Sequence, residues 1–217
     1  MLDLSRQGDV WILKFSAGEN RFSTPFFDRV EEALAEVLRT PGPAALVTVG
    51  DGKFYSNGID LDWLGSSGTD LPVFLSRMHG FLGRFLAFPL PTIAALNGHA
   101  FAGGGMLALA HDFRVMRSDR GYFCLPEVDI AIPFTVPMSE LIKSKLAPQV
   151  AHRAMVTGRR YPASEALEAG IVDAVASEAD VLPRAIALAT ELAQKERGTL
   201  GAIKENAYAA NLALLRG

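Results

Sequence analysis

A single cysteine, Cys124, stands in 217 residues. One thiol excludes an internal disulfide, and no cysteine–histidine spacing suits a metal site, so a reducing, cytoplasmic setting is expected. The four histidines, His79, His99, His111 and His152, are scattered along the chain. There is no basic run. With 21 Lys and Arg against 24 Asp and Glu, the formal net charge of -3 argues against nucleic acid or an anionic membrane as a partner. No apolar run is long enough to span a bilayer, and Met1-Leu2-Asp3-Leu4-Ser5-Arg6 lacks the apolar stretch of a secretory leader. Ser144-Lys145-Leu146 has the form of a peroxisomal address but lies inside the chain, where a receptor for free C-termini cannot read it. Repeats, low-complexity stretches and Pro/Gly/Ser-rich linkers are also missing, so one domain is expected over residues 1–217. What remains is an ordinary globular composition, 49% hydrophobic and 21% charged.

Short apolar runs alternate with helical spacing in the first part of the chain. Val10 to Phe15, Ala44 to Val49, Thr92 to Leu96 and Phe113 to Met116 read as buried strands. Phe27, Val30, Leu34, Val37 and Leu38 recur at helical spacing after a Ser23 or Thr24 cap and Pro25, and Pro41-Gly42-Pro43 ends that helix. A second helix is expected from about Leu71 to Phe88, closed by Pro89 and Pro91. This alternation predicts an α/β fold with parallel strands to about residue 136, and the remaining residues, about 137–217, read as a helical C-terminal part.

Three segments could carry chemistry. In Asn97-Gly98-His99-Ala100-Phe101-Ala102-Gly103-Gly104-Gly105-Met106 an apolar strand runs through glycines into an apolar helix. The exposed amides of such a helix start bind negative charge. Ser56-Asn57-Gly58-Ile59-Asp60-Leu61 follows a buried strand and likewise presents backbone around a glycine. In Tyr122-Phe123-Cys124-Leu125-Pro126-Glu127 a lone carboxyl stands among aromatic, aliphatic and proline neighbours, which disfavours its ionised form. Each segment also has a plainer reading, as a turn or as a surface glutamate.

In order and spacing these segments resemble the enoyl-CoA hydratase/isomerase (crotonase) superfamily, and the likeness continues through Arg159-Arg160-Tyr161-Pro162-Ala163-Ser164-Glu165-Ala166 to Asp173. The resemblance implies a spiral of ββα units and an oxyanion hole built from the amides of Ile59 and Gly103. It also implies an acyl-CoA thioester as substrate, no separate cofactor, and a homo-oligomer, a trimer by family habit. Ser56, Asn57, Gly58, Asp60, Leu61, Gly104 and Met106 are expected to line the substrate site. Family hydratases resembling this chain use two glutamates; here Met106 occupies the first position and only Glu127 remains. A thioether neither orients nor deprotonates water. Ile132-Pro133-Phe134-Thr135-Val136-Pro137-Met138 also replaces the glycine-rich turn usual in hydratases. The expected reaction is therefore that of the family's isomerases, conversion of a 3-enoyl-CoA to its 2-enoyl isomer in fatty-acid β-oxidation with Glu127 shuttling the proton. The alternatives are another acyl-CoA reaction of the superfamily (decarboxylation, thioester hydrolysis or weak hydration) and a non-catalytic acyl-CoA-binding subunit. His99 and Cys124 read as packing residues and Asp60 as fixing its own loop. Arg21 and Lys53 could meet coenzyme A phosphates or be idle surface cations. Ser56 lacks the surroundings of a nucleophile, and no Gly-x-Gly-x-x-Gly follows the first strand to suggest a dinucleotide site.

Overall fold

The computed structural model describes residues 2–217. The chain opens with β1 (Leu2–Gln7), β2 (Val10–Phe15), α1 (Thr24–Arg39), β3 (Ala45–Gly50), β4 (Phe54–Ser56), α2 (Leu61–Ser66) and α3 (Leu71–Leu86). It continues through β5 (Thr92–Leu96), β6 (His99–Phe101), α4 (Gly103–Ala110), β7 (Phe113–Arg117), β8 (Phe123–Cys124) and α5 (Val136–Lys145). The last elements are α6 (Pro148–Thr157), α7 (Ala163–Glu168), β9 (Ala174–Ala176), α8 (Val181–Leu192), α9 (Arg197–Ala207) and α10 (Ala209–Arg216).

Two sheets organise these elements. The larger has the order β1-β2-β3-β5-β7-β9 and is parallel except for β1, which runs antiparallel to β2. The smaller, β4-β6-β8, is wholly parallel. Each central strand of the large sheet is followed by a strand of the small one and then by helix. The resulting units, β3-β4-α2/α3, β5-β6-α4 and β7-β8-α5, form the expected ββα spiral. Side chains along β3 and β5 are buried on both faces, as parallel strands require. Leu46, Ala94 and Leu96 join the main core with α1, α3 and α4, whereas Val47, Val49, Ile93 and Ala95 pack with Ala185 and Ala189 of α8.

Local sequence explains the long helices. Ser23 caps α1 by accepting from Phe26 N, and Asp70 caps α3 by accepting from Val73 N. Strand β9 departs from the sequence reading. It lies within the stretch expected to be helical, yet pairs with β7 at the edge of the large sheet. Only three residues long, it shows no period that the sequence could reveal. The C-terminal helices are tied down by Lys204, whose buried ammonium donates to Phe88 O, Leu90 O and Asp112. No helix among the described residues is long and apolar enough to cross a membrane.

Candidate active site

Helix α4 is buried along its whole length, and its start is built from glycine because nothing larger fits. A Cβ on Gly104 would lie 2.3 Å from the carbonyl oxygen of Ser56, and one on Gly103 would lie 2.8 Å from Met78 Cε and 2.9 Å from Phe22 Cε2. The chain enters the helix through Ala102, which takes φ 50°, a region that costs an L residue on the order of 1–3 kcal/mol. Among the described residues no side chain caps α4. Its hydrogen-bond ladder begins with Met106 N donating to Ala102 O, so the amides of Gly103 and Gly104 precede it at the positive end of the helix dipole.

The loop after β4 lies directly on this helix start. Gly58, at φ 77°, approaches so closely that a Cβ there would stand 2.8 Å from Gly103 N. A parallel bridge joins Ile59 to Phe22 through Phe22 N donating to Gly58 O and Asp60 N donating to Phe22 O. Both bonds use the neighbours of Ile59, so the amide of Ile59 points to the side opposite Phe22. The loop after β4 and the glycine-rich start of α4 are thus in backbone contact. The other loop residues spend their side chains on the protein. Ser56 is fully buried, its hydroxyl donating to Asn20 O at 2.7 Å and accepting from Gly58 N at 3.2 Å. Asn57 donates to Glu19 at 2.8 Å, and Asp60 caps α2 by accepting from Trp63 N at 3.1 Å. Leu61 is half exposed. Of the expected lining residues, Gly58, Gly104 and Met106 gather at the helix start, whereas Ser56, Asn57 and Asp60 shape the loop. Arg21 is engaged by Glu19, Asp60 and Asp62, and Lys53 lies over the Phe54 ring.

The segment leading into Glu127 passes the start of α4 through β8, which runs beside β6 with Ala102 N donating to Cys124 O. Leu125 packs against Gly105, and Pro126 O accepts from Asp129 N and Ile130 N to turn the chain just past Glu127. The glutamate is only 6% exposed, and its Oε2 is buried with no hydrogen-bond partner among the described residues. Burial pushes its carboxyl from 4.5 up to about 7, against the pull of a hydrogen bond from its own backbone amide. Met106 is 1% exposed and adds a second apolar surface at the helix start. Beyond the turn, Val128, Ile130, Ile132 and Val136 form an exposed apolar stretch.

Asn20 is a structural residue of the site that the sequence analysis did not single out. It is fully buried at φ 50°, accepts from Ala17 N, and donates to Phe54 O and Tyr55 O at 3.1 Å each, so it holds β4 in place. The available signal was an asparagine, which tolerates positive φ, closing Gly18-Glu19-Asn20 directly after β2. His99 packs as expected, stacked on Tyr122 and tilted against Phe54 and Phe101.

Comparison with known proteins agrees with this arrangement. The family model described as enoyl-CoA hydratase/isomerase matches residues 6–214. Enoyl-CoA delta isomerase 3 of Arabidopsis thaliana is 37% identical over 209 residues, covering 90% of this chain and 86% of the relative. The peroxisomal enoyl-CoA delta isomerase 2 of the same plant is 36% identical over 211 residues, with 90% and 86% covered. The crystal structure of a probable enoyl-CoA hydratase from Mycobacterium tuberculosis H37Rv superimposes with a TM-score of 0.91 at 26% identity, covering 99% of this chain and 91% of that one. With its ββα spiral and two backbone loops meeting at the start of α4, the chain belongs to the enoyl-CoA hydratase/isomerase family.

Proposed function

We propose that the protein is a 3,2-enoyl-CoA isomerase. The observation that carries this reading is the solitary buried carboxyl of Glu127, with one unpartnered oxygen and a pKa lifted to about 7. Such a group is a competent base near neutrality and, once protonated, a competent acid. The amides of Ile59 and Gly103 hold the thioester oxygen. Glu127 takes the proton from C2, the C–H electron pair moves toward that oxygen, and a dienolate forms across C1 to C4. The same carboxyl returns the proton at C4, which leaves the double bond between C2 and C3, conjugated with the thioester. One proton leaves and one returns, so neither a cofactor nor water is consumed. Fixed main-chain donors stabilise the transient oxyanion without reorganising, worth roughly 3 to 4 kcal/mol of barrier for each donor.

Buried Met106, at the family position of a second glutamate, favours isomerisation over hydration, because hydration needs a second group to orient water. The names of the Arabidopsis relatives support the same choice. The reading places the enzyme in fatty-acid β-oxidation, as a homotrimer in a reducing compartment. The lone thiol Cys124 supports such a compartment, and tagging the chain distinguishes the cytoplasm from the peroxisome named for one relative. The test supplies purified protein with a 3-enoyl-CoA and follows the absorbance of the conjugated 2-enoyl product. Turnover that vanishes in Glu127→Gln supports the reading, as does C2 deuterium exchange that depends on Glu127. Acyl-CoA binding without exchange, or turnover that survives in Glu127→Gln, overturns it.

A further inference from the structure

Behind the loop that carries Ile59 lies a chain of three fully buried polar side chains that the proposed chemistry does not use. Tyr55 Oη lies 2.8 Å from Thr48 Oγ1, and Thr48 Oγ1 lies 2.9 Å from His111 Nε2. His111 Nδ1 lies 2.8 Å from Leu107 O, one turn back in α4. The proton directions follow from the far end. A carbonyl oxygen only accepts, so Nδ1 of His111 carries the proton. Burial holds this imidazole neutral, pulling it down to about 3, so Nε2 accepts from the Thr48 hydroxyl. With its proton spent, Thr48 accepts from the Tyr55 hydroxyl. The relay therefore has one orientation and no spare donor between its ends.

The three residues belong to three elements. Thr48 is in β3, Tyr55 is in β4 four residues before Ile59, and His111 ends α4, which begins at Gly103. Aromatic rings hold the relay laterally, Phe85 with its centroid 4.8 Å from that of His111 and Phe15 with its centroid 5.7 Å from that of Tyr55. At the other end of α4, Gly104 lies against Ser56 O and Gly58 against Gly103 N, so the β4 loop and the helix are joined at both ends of the helix. An eight-residue helix moves as a rigid rod, so fixing its C-terminal end fixes the position of its first amides.

We propose that the Tyr55–Thr48–His111 relay is a positioning network that sets the separation of the Ile59 and Gly103 amides for the enolate oxygen. Because it rests on the isomerase reading, its test begins with wild-type turnover. Steady-state isomerisation of a 3-enoyl-CoA is compared among wild type, Thr48→Val, Thr48→Ser and Tyr55→Phe, with hexanoyl-CoA affinity measured as a ground-state reference. Near-UV circular dichroism and thermal melting establish the folded fraction of each variant. Thr48→Val keeps the side-chain shape but removes the hydroxyl. The expected result is a fall in its kcat of about 10- to 100-fold per folded molecule, as a small misplacement of catalytic groups produces, with hexanoyl-CoA affinity within about twofold of wild type. Thr48→Ser restores the hydroxyl and is expected to recover most of the rate; Tyr55→Phe is expected to lose less than Thr48→Val. Unimpaired kcat in folded Thr48→Val overturns the inference, as does parallel loss of kcat and hexanoyl-CoA binding, or a serine variant as slow as the valine one. A wild-type protein without turnover removes the isomerase reading and this inference with it; normal wild-type turnover beside a normal Thr48→Val removes this inference alone.

Discussion

Two helix starts in this molecule show opposite uses of the same backbone geometry. At α9 the carboxylate of Glu196 accepts from Gly198 N at 2.8 Å and Thr199 N at 2.6 Å, and a hydrogen bond from the Thr199 side chain, together with those two amides, draws its pKa down to about 2. At α4 the corresponding region is buried, glycine-lined and without a side-chain cap among the described residues. The exposed end shows what converging donors, two of them main-chain amides, do for an oxyanion: they make the charged form much easier to hold. At α4 the proposed anion is an enolate that exists only during reaction. Glu127 completes the contrast, because no such donors reach its Oε2, and its carboxyl rises to about 7 where that of Glu196 falls. A base seated like Glu196 would be too weak to take a proton from carbon.

The sharpest break in this comparison comes from Glu127→Gln, which is expected to lower kcat by about 10²- to 10⁴-fold in the 3-enoyl-CoA assay. Gly103→Pro deletes one α4 amide and is expected to cost about 10²- to 10³-fold in kcat, whereas Ile59→Val keeps its amide and stays near wild type. A proline enzyme with near-normal turnover would show that α4 does not serve as the anion site. In the wild type, kcat/KM is expected to fall about tenfold for each pH unit below about 7 as Glu127 takes up its proton; a profile flat down to pH 5 contradicts its role as base.

The same titration reads out in stability. The folded pKa of Glu127 lies above its usual 4.5, so its contribution is complete below that value and is lost as pH rises through about 7. Glu127→Gln is therefore expected to melt higher than wild type at pH 8, by on the order of 1–3 kcal/mol, with the advantage shrinking toward pH 5. Glu196→Ala gives the smallest effect and the opposite sign. Its carboxyl is depressed, so the stabilisation it gives is present above about 4.5 and fades as pH falls toward 2. The variant is expected to melt slightly lower than wild type at pH 7, to converge with it near pH 2, and to turn over normally.

The features legible in the sequence were those with a repeating signal or a residue type tied to one geometry. Strand β2 was readable as an apolar run, α1 and α3 from their spacing and caps, and the glycine cluster from its place between strand and helix. The neighbours of Glu127 were compatible with a buried carboxyl and with a surface one, and its burial became visible only in the folded chain. Strands β4, β6, β8 and β9 were not, since two or three residues carry no period and their pairing is decided by segments far away in the chain. The relay was hidden for a related reason. Thr48 sits inside the apolar run of β3 and looks like any β-branched strand residue, and 63 positions separate it from His111. Asp60 was rightly placed in the loop and Ser56 instead ends β4, but the direction of both side chains depends on Asn20 and on the start of α2, which local sequence does not reveal.

The contact of Gly58 with the first turn of α4 also bears on how such a protein can change over generations. A donor carried by the peptide unit is inherited with every amino acid except proline, so drift in the surrounding walls cannot easily erase it. What can drift is the chemistry around it: in the proposed mechanism, exchange of one wall residue, as at Met106, would redirect the fate of a captured thioester while the capture itself persists. Under that mechanism the packed peptide units would give the lineage a durable means of holding one kind of intermediate and wide freedom in what is then done with it.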